Sequence, residues 1–371
     1  PWVLAGGIGI GVSIMLLFSC PASLSTGAKV AFCAGMYFLA NPFFGTMASV
    51  SCGTLNNLLT ADSKKRGVLG VFSAYGTLVP VVIIGLVVPK ILSAMNESQA
   101  AYTTATLIFA VMSIVASIIG VACVRETVTE RSKEQLVEKQ SVKETLHELL
   151  HNKYFIFLAL GTILYNLTSA PVATYYAKYV FHDVGVTTLI NLPGMIMIFL
   201  LPLAVPMMNK FGKRNCIVGG MLLAAVGHTI ILFANDNLAL FMLAKSVASI
   251  AVVPFTISLI PLTGEICDYA LYRCGKPMDG TISSAATMGG KIGIGLAAGI
   301  SGVMLAVSGY VSSSAETLVS QPDSAIFMIR ILSSFYPAIL FAIAALCFYK
   351  IDLEKSGIAE IQKELREKGL R

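Results

Sequence analysis

Charge is what this sequence has least of. Asp, Glu, Lys and Arg make up 12% of the 371 residues against 56% hydrophobic, and the mean hydropathy is +0.79. A soluble domain typically carries about twice that charged fraction. Its surface is too large relative to its volume to hide so much apolar side chain, so a water-soluble globule is excluded and lipid is the solvent that fits. The alternating pattern of a membrane β-barrel is also lacking, and the apolar runs have helical length instead. In hydrocarbon every backbone amide must be paired within the chain, which a helix accomplishes by itself. No CxxC and no Cys/His ligand spacing occurs among the eight cysteines (Cys20, Cys33, Cys52, Cys123, Cys216, Cys267, Cys274, Cys347), which read as small apolar packers. There is no Walker loop and no nucleophile–base constellation, so ATP drive, enzymatic chemistry, a metal and a cofactor are not expected. Gly289, Gly290, Gly293 and Gly295 follow no strand and read as helix-packing positions rather than a nucleotide loop. The chain starts at Pro1, without a methionine and without the basic leader and cleavage site of a signal peptide. It reads as a fragment whose upstream part is absent.

What is present is a series of ten apolar runs, at about residues 2–20, 29–59, 68–94, 103–124, 154–180, 185–208, 215–235, 238–264, 281–310 and 326–349. The second is too long for a straight span, and Pro42 and Gly45 offer a kink within it. The net charge of +6 does not point to nucleic acid, because the basic residues form short clusters between the runs. Taken alternately, the junctions at 64–66, 125–153, 210–214 and 273–276 and the tail from Lys350 hold twenty of the 26 Lys and Arg, while the opposite junctions hold only Lys29, Lys90 and Lys178. Basic residues accumulate on the cytoplasmic side, so both ends of the chain are expected there, in a plasma (inner) membrane. The long polar connection divides the chain into 1–124, a linker at 125–153, a half at 154–350 and a tail at 351–371. Ser141–Lys153 has a serine cap and leucines at helical spacing, the pattern of an amphipathic surface helix.

Several stretches resemble the glycoside–pentoside–hexuronide:cation symporter family, the melibiose-permease-like proteins of the major facilitator superfamily. They are Pro1-Trp2-Val3-Leu4, Leu59-Thr-Ala-Asp62-Ser-Lys-Lys-Arg66-Gly-Val-Leu69, Tyr175-Tyr-Ala-Lys178-Tyr-Val180, Asn209-Lys-Phe-Gly212-Lys-Arg214, Glu265-Ile-Cys-Asp268-Tyr269, and Lys291 with Gly293 and Gly309-Tyr310. The resemblance runs in order along nearly the whole chain. It implies an all-α major facilitator helical bundle with ten spans present and the first two of twelve missing. It implies secondary transport of a sugar or glycoside, coupled to Na⁺ or H⁺ by alternating access, in a monomer embedded in the bilayer. The family's cation site lies largely in the missing segment. A truncated, non-transporting remnant or sensor and a lysolipid-type transporter are the alternatives.

Lys291 is the most informative residue. A lysine at the bilayer centre costs roughly 2.5–3.5 kcal/mol on insertion scales and so belongs beside a cavity or a carboxylate, with snorkelling to an interface as the other reading. Thr287, one turn earlier, adds a hydroxyl. Tyr165 and Asn166 precede Pro171 in mid-run and are candidate cavity liners, although a tyrosine there equally serves packing. The resemblance places the family's sugar-binding aspartate on Ser49, a nearby aromatic on Gly53 and an arginine on Ala74, so the substrate need not be the family's usual sugar. Glu265 and Asp268 share one helix face just before Arg273 and Lys276. They read either as solvated charges or as ion pairs of a cytoplasmic gate. Pro277 stands where the resemblance expects an arginine, so Arg273 or Lys276 is left to replace it. Asp62 and Arg66 carry the same two readings, topology signal or gate. His228 reads as a hydrogen-bonded core histidine ahead of a proton relay.

Overall fold

The computed structural model describes residues 2–21, 24–59, 63–95, 99–124, 147–183, 186–275, 278–311, 320–353 and 357–368. Among them every regular element is helical. The first are α1 (Trp2–Phe18), α2 (Thr26–Phe38), a π-helical segment (Leu39–Gly45), α3 (Thr46–Leu58), α4 (Ser63–Ala94) and α5 (Gln99–Cys123). Then come α6 (Lys153–Leu167), α7 (Ala173–Tyr179), α8 (Val186–Ile196), a 3₁₀ turn (Met197–Leu200) and α9 (Leu201–Phe211). The last are α10 (Lys213–Ala234), α11 (Leu238–Cys274), α12 (Asp279–Val307), α13 (Asp323–Ser333), α14 (Phe335–Tyr349) and α15 (Ile358–Glu367). Seven stretches of the described residues are long and apolar enough to cross a membrane: Thr26–Asn56, Gly67–Ile84, Gln99–Cys123, Lys213–Ala234, Leu238–Cys274, Asp279–Val307 and Asp323–Tyr349. Trp2–Phe18 and Lys153–Leu167 are apolar but shorter. Large apolar side chains such as Phe199, Phe233, Leu243 and Val307 stand exposed, which is favourable only against lipid.

Three apolar runs differ from their sequence reading, each for a local reason. The second run is continuous, with the expected irregularity at Pro42 taking the form of the π-helical segment, because proline has no N–H to give to the α ladder. The run at 154–180 is interrupted between α6 and α7, where Thr168 Oγ1 turns back to Tyr165 O (2.7 Å) and Pro171 follows. The run at 238–264 continues to Cys274 and stops where Gly275 adopts φ +68, its N–H returning to Leu271 O at 2.8 Å. This extension carries Glu265 and Asp268 into the body of α11. The amphipathic helix expected at Ser141–Lys153 falls mostly outside the described residues; its end, 147–150, is helical.

Contacts divide the chain into two units, Pro1–Ala61 with Gly76–Glu130 and Asp279–Thr287, and Asp62–Tyr75 with Arg131–Met278 and Met288–Arg371. In the first unit α1 is the hub. A Cβ on Gly6 would stand 2.8 Å from Ala48 and one on Gly9 2.2 Å from the Phe44 ring, so these glycines admit α3 and the π segment on one side. Gly7 and Gly11 admit Ser117 and Ile114 of α5 on the other. This is the small-residue packing that lipid-embedded helices rely on in place of a hydrophobic drive.

In the second unit α10 packs along α11 and α14. Gly220 meets Ala251 O and Gly227 meets the Ala244–Ala248 turn of α11. A Cβ on Gly220 would lie 2.3 Å from that carbonyl, which cannot retreat without bending α11. Gly220→Leu is therefore expected to cost about 1–3 kcal/mol or more. The check is the melting temperature and monodispersity of detergent-solubilised protein, both of which should fall, whereas Gly219→Leu, where a Cβ meets nothing within 4 Å, should be tolerated. Arg330 of α13 ties down the α10–α11 turn, bonding Asp236 Oδ1 (2.7 Å) and Asn235 Oδ1 (3.1 Å), where Asn235 has φ +47.

Candidate functional site

Two groups of polar side chains lie on the membrane-spanning helices. The first is a stripe along α12. Ser283, Thr287 and Lys291 recur at i, i+4 spacing and so share one face, and Lys291 is half-buried. The Thr287 hydroxyl turns back along its own helix, donating to the backbone carbonyl of Ser283 at 2.9 Å. Within the first unit α12 begins antiparallel to α3. A Cβ on Gly53 would meet Ser283 Cβ at 3.4 Å, and one on Gly280 would meet Thr54 Oγ1 at 3.8 Å. One turn beyond that contact, the continuing faces carry Ser49 on α3 and Thr287 on α12. Ser49 is exposed, its Oγ returning to Gly45 O at 2.6 Å.

Within the second unit α12 lies against α6. Gly293 sits under Ile163 O and Asn166 Cβ, at 2.6 and 2.7 Å from where its Cβ would be, and Gly290 faces the Asn166 amide. Asn166 is half-buried and its Nδ2 donates to Thr162 O at 2.8 Å. Asn166 and Lys291 therefore belong to the same level of two adjoining helices. Tyr165 turns the other way. Its ring packs 4.3 Å from that of Phe255 and 6.2 Å from that of Phe341, on α11 and α14. His228 is the hydrogen-bonded core histidine its sequence position suggests. It is 7% exposed, with Nδ1 3.1 Å from Ser333 O and its ring stacked on Phe341.

The second group surrounds the end of α11. Glu265 is 4% and Asp268 2% exposed, so neither is a solvated loop charge. Glu265 Oε1 is ion-paired with Lys213 Nζ, at the start of α10. Asp268 Oδ2 accepts from Gln362 Nε2 of α15 at 2.8 Å. That tail helix docks by burying Ile358, Ile361 and Leu365. Arg273 donates to His151 O at 3.1 Å. Next to them, burial opposes ionisation of Asp352, yet hydrogen bonding from Tyr154 and the Lys153 ammonium 3.5 Å away hold its pKa below the usual carboxylate range. Asp62 and Lys276 lie outside the described residues, and Arg66 is placed on α4 only by its backbone.

Sequence reasoning did not assign Lys213 or Gln362 to this group. Lys213 was legible only as one of the cytoplasmic basic residues, although its place directly after Gly212 fixes it at the start of α10. Gln362 was detectable from the Ile358, Ile361, Leu365 stripe on either side of it, which marks a docking helix rather than a free tail.

The family model of MFS/sugar transport proteins aligns with residues 1–355. This chain belongs to that family. The transporter is 26% identical over 386 residues to the isoprimeverose transporter of Lactiplantibacillus pentosus, covering 100% of this chain and 78% of the relative. It is 23% identical over 380 residues to the glucuronide carrier protein homolog of Escherichia coli (strain K12), covering 99% of this chain and 80% of that one. The crystal structure of the fucose:proton symporter of E. coli superposes with TM-score 0.62 at 12% identity, covering 94% of this chain and 84% of the symporter. That likeness establishes the major facilitator fold. The resemblance to glycoside–pentoside–hexuronide symporters is accordingly borne out, and the transporter is an integral membrane protein.

Proposed function

We propose that this chain takes up a sugar or glycoside by alternating access, driven by a Na⁺ or H⁺ gradient. The observation that carries the reading is the Ser283–Thr287–Lys291 stripe. Ionisable side chains within a membrane-crossing helix are rare and face the bundle interior or a water-filled cavity, and Lys291 is half-buried on the face that also carries Ser283 and Thr287. Asn166 and Lys291 of the second unit supply hydrogen bonds to sugar hydroxyls; Ser49 and Thr287, of the first unit, are the further candidates for that role. Tyr165 acts through packing that steadies Asn166. The substrate class is that named for the relatives, a pentose-bearing disaccharide such as isoprimeverose or a glucuronide.

The transport unit is a monomer of ten spans with both ends in the cytoplasm of an inner membrane. The seven long apolar stretches are joined by Trp2–Phe18, Lys153–Leu167 and the broken Val186–Phe211 segment. Residues 1–124 and 154–350 form the two rocking halves, linked by 125–153, with 351–371 as tail. Glu265, Asp268 and Arg273, with Asp62, Arg66 and Lys276, close the cytoplasmic side in the outward-facing state and release it in the inward-facing one.

The test is uptake of radiolabelled isoprimeverose, methyl β-glucuronide, xylose and melibiose into vesicles containing the transporter, with and without an inward Na⁺ or H⁺ gradient. Accumulation of one of them above its equilibrium level under one gradient is the expected result. Equilibration without accumulation under either gradient would exclude coupling, and no entry of any sugar would exclude the substrate class.

A further inference from the structure

Two adjacent basic residues at the start of α10 meet opposite surroundings. Lys213 is taken up by Glu265. Arg214 turns instead to α14, where its Cζ lies over the Tyr349 ring, 4.3 Å from the centroid. The ring attracts the charge, but its face offers no oxygen to the five N–H donors of a guanidinium. The Arg214 Nε is enclosed and meets no acceptor. No hydrogen bond or ion pair reaches the two Nη groups among the described residues, and the side chain as a whole is half-buried rather than enclosed. A guanidinium seated on an aromatic face keeps its N–H fork for an oxyanion, and phosphate matches that fork with two parallel bonds.

The surface beside this fork is amphipathic along one direction. Ile339, Ile343 and Leu346 of α14 are exposed and stand at i, i+4 and i+7, so they form one stripe. Lys350, exposed at the end of the helix, continues the same face at i+11. The Tyr349 ring is exposed at that end, and so is Phe211, three residues before Arg214. The Lys210 ammonium stands 5.3 Å from the Phe211 centroid. An apolar stripe, then aromatic rings, then cations is the order in which a phospholipid presents acyl chain, glycerol and phosphate. A free phosphate ion would use the guanidinium and leave the stripe without a role.

We propose that Arg214 binds the phosphate of an anionic phospholipid. Lys350 adds the second charge, and one acyl chain lies along Leu346, Ile343 and Ile339. The site is built from the second unit alone and does not depend on the transport reading above. Because the fork comes from α10 and the stripe from α14, a bound lipid fastens the two helices together and stabilises the fold by mass action.

The test uses the full chain, delipidated in detergent, with lipid adducts counted by native mass spectrometry. Dioleoyl phosphatidylglycerol should be retained, one per chain, at a concentration lower by about tenfold or more than dioleoyl phosphatidylcholine, whose own ammonium opposes the two cations. Arg214→Ala should abolish the preference and Lys350→Ala should reduce it. Arg214 also clamps α10 to α14, so Arg214→Lys guards against a variant that simply fails to fold. It keeps a cation over the ring but loses the fork. It should hold phosphatidylglycerol more weakly than the parent, while the melting temperature of the lipid-free protein is unchanged. A competing titration with inorganic phosphate separates the two sources of the anion, and excess phosphate should leave the lipid in place. Displacement of the lipid by phosphate would mean an ion site and overturn the proposal. Equal retention of the two lipids by the parent, or parent-like retention of phosphatidylglycerol in the Arg214 variants, overturns it as well.

Discussion

Lys291→Ala is expected to abolish sugar accumulation while the protein still reaches the membrane in normal amount. The ammonium is half-buried on the one face of α12 that also carries Ser283 and Thr287. Hydrogen bonds to a charged group contribute about 1.5–3 kcal/mol, so loss of the group weakens substrate capture by about 10- to 150-fold. Lys291→Arg keeps the charge but replaces a compact ammonium by a planar fork, and should restore expression-normalised uptake only in part. The measurement is accumulation in energised vesicles, alongside binding of the same sugar in the absence of a gradient. If binding and accumulation both survive in the alanine variant, Lys291 takes no part in the site and its stripe serves helix packing alone.

Glu265→Gln should have the second-largest effect, of a different kind. The pair with Lys213 is largely enclosed, the two side chains being 5% and 16% exposed. Removing one member of a buried pair strands the other, at a cost of about 3–5 kcal/mol. Where the pair exists in only one of two transport conformations, about 3 kcal/mol shifts their ratio by about 150-fold. The expectation is near-normal sugar binding with slowed net uptake. Cysteine accessibility at the two membrane faces should show the inward-open population rising. Lys213→Glu combined with Glu265→Lys restores the attraction and should recover much of the loss, a coupling that each single variant lacks. Single variants as active as the parent, or a double variant no better than either, would show that the pair is a static fastener between α10 and α11.

Comparison of individual residues shows where sequence ceased to be informative. Gly289, Gly290 and Gly293 were readable as packing positions because no strand precedes them, and they do lie against Ile163 and Asn166 of α6, while His228 could be placed in the core from its apolar neighbours. Glu265 and Asp268 could be assigned to one face but not to burial or to partners. The helix that carries them runs three turns past its apolar run, and apolar content marks where lipid begins and ends, not where a helix does. The identity of the cation opposite Glu265 was equally hidden. Lys213 lies 52 positions away, and spacing along one chain carries no information about which of several basic turns folds back on a given carboxylate.

By itself the sequence determined the solvent of this protein, its helical class, the alternation of its basic junctions and the placing of a lysine in an apolar run. These follow from composition and one-dimensional periodicity, which each segment expresses whatever surrounds it. Tertiary structure alone decided which polar groups meet, namely Lys213 with Glu265, Gln362 with Asp268, and Asn166 with the Lys291 level of α12. Those pairings depend on how helices distant in the chain are set against one another, and the small-residue contacts that set them act only once the helices are side by side.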